Sequence, residues 1–279
     1  MSLVIIGASG FVGKSLLNFS ASREYIVVPV SSSSCNLLFE TSKKTLKDII
    51  SVDDNIVMLA AKTPEKLNGY NLVSDNITML KNFLDVICEI KFRHLVYISS
   101  DSIFSFQDEI INEQSPKIPE TLYGYSHLVR EEMLKSAGLG KKLTILRPCA
   151  IYGDGDTHNA YGVMRFIRQA LSQQQITIFG DGEDLRDHVF VDDLAICINS
   201  AFENQIYGEY NYATGQAINF RNLAEIVAGL ITAKIEIISS QRKISLRHRH
   251  FDVSKLSNSF PNHQPRSVID GIKSLNIGL

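Results

Sequence analysis

Leu3-Val4-Ile5-Ile6-Gly7-Ala8-Ser9-Gly10-Phe11-Val12-Gly13-Lys14-Ser15 is the stretch that decides how this chain folds. Four branched or apolar residues in a row read as a strand buried on both faces. Three glycines spaced three apart then mark a turn, and helical spacing begins at Phe11. Strand, tight turn and helix make the first half of a βαβ unit. Small residues in such a turn let the backbone approach a pyrophosphate, whose charge rests on N–H groups at the helix N-terminus. Gly7, Ser9, Gly10, Phe11, Val12 and Gly13 are therefore the candidate dinucleotide-binding residues; the plainer reading is a turn that needs glycine for positive φ.

Ala8-x-x-x-x-Gly13-Lys14-Ser15 also fits a relaxed phosphate-wrapping loop of the nucleoside-triphosphatase kind, with Lys14 on phosphates and Ser15 on Mg²⁺. Two features count against it. Phe11 and Val12 are bulky where that loop must curl, and no strand ends on a suitable Asp. Leu59 runs into Ala60-Ala61, and Ile98 reaches Asp101 only after two serines.

Outward from the turn, apolar runs recur at 3–6, 25–30, 55–59, 94–98 and 143–146, separated by helical spacing at 11–21, 71–90 and 122–138. Strands bounded by helix-length segments build a parallel sheet buried on both faces. The expectation is an α/β fold: a doubly wound parallel (Rossmann) sheet in residues 1–150 and a smaller α/β substrate lobe in 151–279, partly interwoven with it. In that lobe helices are expected at 160–173, 192–203, 220–233 and 266–274, with strands at 176–179 and 235–238. The run Ser31–Ser34 falls where a βα loop belongs.

The length of 279 residues suits one large domain or one plus an appendage. A hydrophobic fraction of 44% with 21% charged residues is that of a globular chain, not a disordered or fibrous one. Lys and Arg number 28 against 30 Asp and Glu, a net charge of −2, so no nucleic-acid partner is expected. Cys35, Cys88, Cys149 and Cys197 are widely spaced, without a C-x-x-C or a neighbouring His cluster. They are expected to be reduced core thiols, with no metal site. The opening residues lack a basic leader and meet Gly7 at once, and no apolar run approaches the ~20 residues of a membrane span. A cytoplasmic location with no membrane contact follows as an expectation.

In a dinucleotide-binding sheet an acidic residue after the second strand holds the adenine ribose and repels a 2′-phosphate. Here that place falls at Ser31, among serines. With no carboxylate to reject the phosphate, NADP is favoured over NAD.

A series of further motifs lies in order along the chain: Leu59-Ala60-Ala61, Asn76, Tyr97-Ile98-Ser99-Ser100, Tyr123-Gly124-Tyr125-Ser126-His127 and Arg147-Pro148-x-x-Ile151-Tyr152-Gly153. Gly180-Asp181-Gly182, Arg186-Asp187, Val191-Asp192-Asp193-Leu194-Ala195 and Asp252-Val253-Ser254-Lys255-Leu256 continue it. Together they resemble the extended short-chain dehydrogenase/reductase family (NAD-dependent epimerases and dehydratases), most of whose members are nucleotide-sugar epimerases, dehydratases and 4-keto-reductases. The resemblance spans essentially the whole chain, and Ala60 and Ala61 join the cofactor-binding set through it.

The resemblance implies a catalytic tyrosine, positioned by a Ser or Thr, with a lysine four residues on that binds the nicotinamide ribose and lowers the phenol pKa. Residues i and i+4 share one helix face, so both reach one pocket. Ser100 and Tyr123 match; His127 stands where the lysine belongs. A histidine, with an ordinary pKa of ~6.5, is mostly neutral at pH 7 and tunes a phenol less. Three readings stay open: His127 is a working substitute, the chain is a non-catalytic binding homologue, or Tyr125 is the acting phenol, with Val129 then at the lysine position.

Ser99-Ser100-Asp101-Ser102-Ile103-Phe104 looks like the corresponding stretch of deoxysugar 4-keto-reductases. The family's dehydratases carry Asp-Glu there, whereas Ser102 replaces the Glu; epimerases commonly carry Asn where Ala150 stands. The resemblance therefore implies a 4-keto-sugar reductase acting on a nucleotide-activated sugar, with a 4-epimerase as the alternative. Substrate residues implied are Ser100, Asp101, Arg186 and Arg249, the arginines as forks for a diphosphate. His188 takes the place of the family's usual aromatic, Asp192 and Asp193 are expected to cap the helix at 194–203, and a homodimer through 71–90 and 122–138 is possible.

Overall fold

The computed structural model describes residues 2–23, 26–64, 66–107, 109–242 and 245–275; Tyr25, which opens the second expected strand, lies outside them. Strands β1 (Ser2–Ile6), β2 (Ile26–Val30), β3 (Asn55–Met58), β4 (His94–Ile98) and β5 (Leu143–Pro148) form where the apolar runs lie. Between them run α1 (Phe11–Ala21), α2 (Thr41–Ile49), α3 (Tyr70–Ile87) and α4 (Leu122–Ser136). The chain continues through β6 (Ala150–Tyr152), α5 (Val163–Gln173), β7 (Gln175–Phe179), β8 (Leu185–Arg186), β9 (His188–Phe190) and α6 (Val191–Glu203). It closes with β10 (Gly208–Tyr212), β11 (Ile218–Asn219), α7 (Phe220–Leu230), β12 (Glu236–Ser240), α8 (Ser254–Ser259) and α9 (Val268–Lys273).

The main sheet is parallel throughout, in the order β10-β5-β4-β3-β1-β2. Its inner strands β3, β4 and β5 are buried along their whole length, as strands covered on both faces must be. Pro29 sits in β2, at the sheet edge, where the missing N–H costs no ladder bond. One apolar cluster packs β-strand residues such as Ile5 and Val57 against Leu16 of α1 and Leu194 of α6; the opposite cluster packs Ile6 and Ile56 against Leu46, Phe83 and Leu134. A third, around Phe166, Ile176, Phe190 and Phe220, belongs to the C-terminal part.

Several elements were not expected. α2 carries few apolar residues, of which Leu46 alone is fully buried, and β10 reads Gly-Glu-Tyr-Asn-Tyr, without an apolar run. β10 nevertheless brings the chain back to pair with β5 and adds a sixth strand to the first sheet. Cys88 is exposed rather than a core thiol, while Cys35, Cys149 and Cys197 are buried; all four are free. Asp192 and Asp193 lie in the first turn of α6 and cap nothing: Asp192 accepts from Ser15 Oγ at 2.6 Å, and Asp193 pairs with Arg266 at 2.8 Å. Ser15 is thereby turned into the α1–α6 contact and away from the turn, which removes the triphosphatase reading.

The strand order reverses between β1 and β3, and the crevice beyond their carboxyl ends is where a doubly wound sheet takes its ligands. Gly7 ends β1 there with φ +97°, and a Cβ on it would lie 2.9 Å from Ala60 N. A Cβ on Gly13 would lie 2.4 Å from Gly7 O. Both positions therefore demand glycine, and the turn, α1 and the end of β3 pack backbone to backbone.

Candidate functional site

Beyond the carboxyl ends of β1, β3, β4 and β5 lies a cleft of about 370 Å³. Its floor is the glycine turn, with Gly7, Gly10, Phe11, Val12, Gly13 and Ala61 lining it, and its wall carries Ser100, Asp101, Tyr123 and His127. These residues come from three βα segments, those after β1, β3 and β4, so only the sheet topology brings them together. Gly10 begins α1 without a side-chain cap, which leaves the first helical N–H groups to a ligand. The turn is a cradle that any added Cβ would fill, and it fits the pyrophosphate of a dinucleotide.

Some expected residues fall elsewhere. Ser9 is exposed on the outside of the turn. Ala60 contributes backbone rather than a cleft surface, standing against Gly7 and offering its carbonyl to Arg130. Ser31 follows Val30, whose carbonyl accepts from Gly7 N at 2.8 Å and Ala8 N at 3.1 Å, so it stands next to the turn. Its hydroxyl bonds that of Ser33 at 2.7 Å.

The chemistry-bearing wall is tightly built. Ser100 Oγ accepts from Ser102 N at 3.1 Å and caps a one-turn 3₁₀ helix, Asp101–Ile103. Tyr123 lies in the first turn of α4, whose cap Thr121 Oγ1 accepts from Gly124 N at 3.1 Å. One turn on, His127 is fully buried, its ring 4.6 Å from that of Tyr123 and edge-on to it. His127 Nδ1 is 3.0 Å from the Tyr97 hydroxyl, and Nε2 has no partner among the described residues. Burial first, then the charge of Arg130, hold the imidazole well below its ordinary pKa, so it is neutral. Tyr125 and Val129 face outward on the same helix, which takes Tyr125 out of the cleft. Asn76, wholly buried in α3, donates to Ser126 Oγ at 3.4 Å and braces the loop at Lys62.

Asp101 leads to the arginines. Arg249 Nη1 donates to Asp101 Oδ2 at 3.1 Å and Nη2 to Phe104 O at 2.7 Å. Arg249, Arg186 and Arg247 stand 4.0, 4.2 and 4.9 Å from the Phe106 ring centroid, three cations around one aromatic face. Arg186 does not line the main cleft. It lines a neighbouring cavity of about 300 Å³ with Arg242, Arg247, Asp184, Tyr161, Phe179 and Phe220. Burial, with the like charge of Arg249, lowers Arg186 to about 10. Tyr161 borders both spaces, so the two are adjacent. Arg242 and Asp184 were not foreseen from sequence; Arg247 was visible only as part of a basic run.

His188 is buried in the cleft wall with neither ring nitrogen partnered among the described residues. Burial, helped by the charge of Arg186, lowers it to about 3. His94, buried mainly by its own packing, is lowered to about 4. The sign follows: the unfolded chain takes up these protons near pH 6.5, the folded chain only well below, so stability is lost as pH falls from ~6.5 toward 4. The melting temperature is therefore expected to drop between pH 7 and pH 5. His94→Gln should flatten that dependence in a thermal scan, and an unchanged slope would exclude the histidine as its source.

No helix among the described residues is long and apolar enough to cross a membrane. Among them, no three His, Cys, Asp or Glu side chains are grouped to hold a metal ion.

A doubly wound parallel sheet, with a glycine turn and a Ser–Tyr wall at its switch point, defines a Rossmann-type α/β protein. Residues 3–213 match the profile of the NAD dependent epimerase/dehydratase family, and the chain belongs to that family. The N-acetyl-alpha-D-glucosaminyl-diphospho-ditrans,octacis-undecaprenol 4-epimerase of Escherichia coli O157:H7 is 24% identical over 248 residues, 84% of this chain and 73% of that one. The fold is shared with the UDP-glucose 4-epimerase of Thermus thermophilus in complex with NAD, at a TM-score of 0.84 and 20% identity over 98% of this chain and 97% of that one. RMD from Pseudomonas aeruginosa complexed with NADPH gives 0.82 and 24% identity, covering 97% of this chain and 95% of the other.

Proposed function

We propose that this chain is an NAD(P)-dependent oxidoreductase of nucleotide-activated sugars, acting at a carbinol or ketone as a 4-keto-sugar reductase. The observation that carries the proposal is the meeting of Ser100, Tyr123 and His127 with the glycine turn in one cleft. Gly7, Gly10, Phe11, Val12, Gly13 and Ala61 would hold the dinucleotide, with Ser31 beside the adenine ribose and no carboxylate there to repel a 2′-phosphate; NADP is the favoured form. A bound nicotinamide supplies the two-electron exchange. Tyr123 gives or takes the proton at the sugar oxygen, Ser100 Oγ orients that oxygen, and His127 bridges toward the ribose through Nε2, which has no partner among the described residues. The sugar then lies near Asp101, and the diphosphate and base extend toward Arg186 and Arg249 and the aromatic cavity beside them.

In this reading residues 1–150 serve the dinucleotide and 151–279 the sugar nucleotide, and the protein works in the cytoplasm. Leu122, Tyr125 and Val129 leave an exposed apolar stripe on α4, beside exposed Tyr70 of α3, which supports pairing of two copies through these helices. The names of the relatives favour a second reading, a nucleotide-sugar 4-epimerase. Purified protein incubated with NADPH or NADH and a panel of nucleotide 4-keto-sugars separates the two. A reductase consumes the reduced cofactor in proportion to product, whereas an epimerase interconverts nucleotide sugars with no net change in it. Cofactor binding without either kind of turnover would leave a non-catalytic binding protein and overturn both.

A further inference from the structure

Arg130 is a large, permanently charged side chain with 0% exposure and no carboxylate partner among the described residues. One nitrogen, Nη2, donates to Ala60 O at 2.8 Å, while Nε and Nη1 have no partner among the described residues. Its guanidinium carbon stands 5.2 Å from the Tyr97 ring centroid. Glu131, next in the chain, is committed elsewhere, accepting from Arg147 at 2.7 and 2.9 Å and from Ser99 Oγ at 2.6 Å. A buried, uncompensated charge is among the costliest features a fold can carry, and it persists where something uses it.

Its position says what that use is. Tyr123, His127 and Arg130 occupy i, i+4 and i+7 of α4, one helix face. Tyr97 joins the last two: its hydroxyl meets His127 Nδ1 at 3.0 Å, and its ring lies against the guanidinium. We propose that Arg130 is a positioning residue that supplies the positive charge of the site, so that the work of a single lysine is divided, His127 meeting the ligand and Arg130 providing the cation behind it. The proposal rests on the reading of Tyr123 as the acid/base. The neutral His127 contributes no charge of its own. Other charged groups around the wall are compensated in pairs, Asp101 by Arg249 and Glu131 by Arg147, and Lys66 at the cleft mouth is exposed to solvent. Arg130, on the same helix face and with no counter-ion among the described residues, is a buried cation placed to bias the phenol toward phenolate.

The test reads the phenol directly. Phenolate absorbance is titrated in the wild type and in Arg130→Met, each corrected by the matching Tyr123→Phe protein. Arg130→Met is expected to raise the Tyr123 midpoint by about one pH unit or more. Adding His127→Lys to Arg130→Met should bring the midpoint back, because the cation then returns to the i+4 position. Arg130→Lys, which keeps the charge, should hold the wild-type midpoint and covers the case in which the methionine variant fails to fold. An unmoved midpoint in folded Arg130→Met, a shifted one in folded Arg130→Lys, or a double variant without rescue would each overturn the proposal. Absence of turnover on nucleotide sugars, with the midpoint shifting as expected, would overturn the reading of function and leave the placement of charge standing.

Discussion

Tyr123→Phe is expected to cut turnover by about 10²- to 10⁴-fold while leaving dinucleotide affinity unchanged. Three constraints that the substitution leaves intact hold the phenol in the cleft. Thr121 caps α4 two residues before it, Gly124 holds the helix against the Ser100–Ile103 turn, and the His127 ring lies edge-on at 4.6 Å. Removing one oxygen therefore removes chemistry and little structure. Steady-state kinetics beside a fluorescence titration of NADPH separates the two quantities. Tyr125→Phe is the matched control: Tyr125 is 49% exposed, outside the cleft, and its loss should leave turnover as it was. Retention of more than about a tenth of the activity in Tyr123→Phe would assign the proton to another group.

The second large effect is on stability. Glu131 and Arg147 form a bidentate ion pair with both side chains at 0% exposure, one in α4 behind Tyr123 and His127 and the other in β5. Ser99 Oγ completes the carboxylate, and Arg147 also meets Glu209, which Lys135 holds at 2.9 Å. Glu131→Gln removes the bidentate carboxylate from a guanidinium that cannot reach water and leaves it only the contact with Glu209. Breaking one side of such a pair costs about 3–5 kcal/mol. Urea unfolding should show that loss as a fall in midpoint with little change in slope. Replacing both partners, as in Glu131→Met with Arg147→Met, should cost less than either single change, since no charge is then left stranded. Equal or greater loss in the double variant would mean that the pair contributes net stability rather than merely satisfying itself.

Much of the site was legible from sequence where the chemistry is local. The glycine turn, the strand before it and the helix after it follow from thirteen consecutive residues. Tyr123 and His127 are four apart on one helix, and helical geometry alone puts them in one pocket. What lay hidden depends on contacts far apart in the chain. Arg186 reads like an arginine of the main site, yet the structure sets it in a neighbouring cavity with Arg242 and Asp184, residues with no motif to announce them. Asp101 looks like a loop carboxylate until Arg249, 148 residues away, is found on it. β10 has no apolar run because only Tyr210 and Tyr212 need face the core, and its place beside β5 follows from tertiary pairing.

By itself the sequence determined the doubly wound sheet, the cradle at its switch point and the family, because period, turn chemistry and motif order are written in neighbouring residues. Only the tertiary structure decided which charges are compensated. Glu131 and Arg130 are adjacent in the chain, and nothing in their order tells that one is paired with Arg147 while the other stands buried without a counter-ion among the described residues. The physical reason is that the energy of a buried charge depends on what surrounds it in three dimensions, through distance and the exclusion of water.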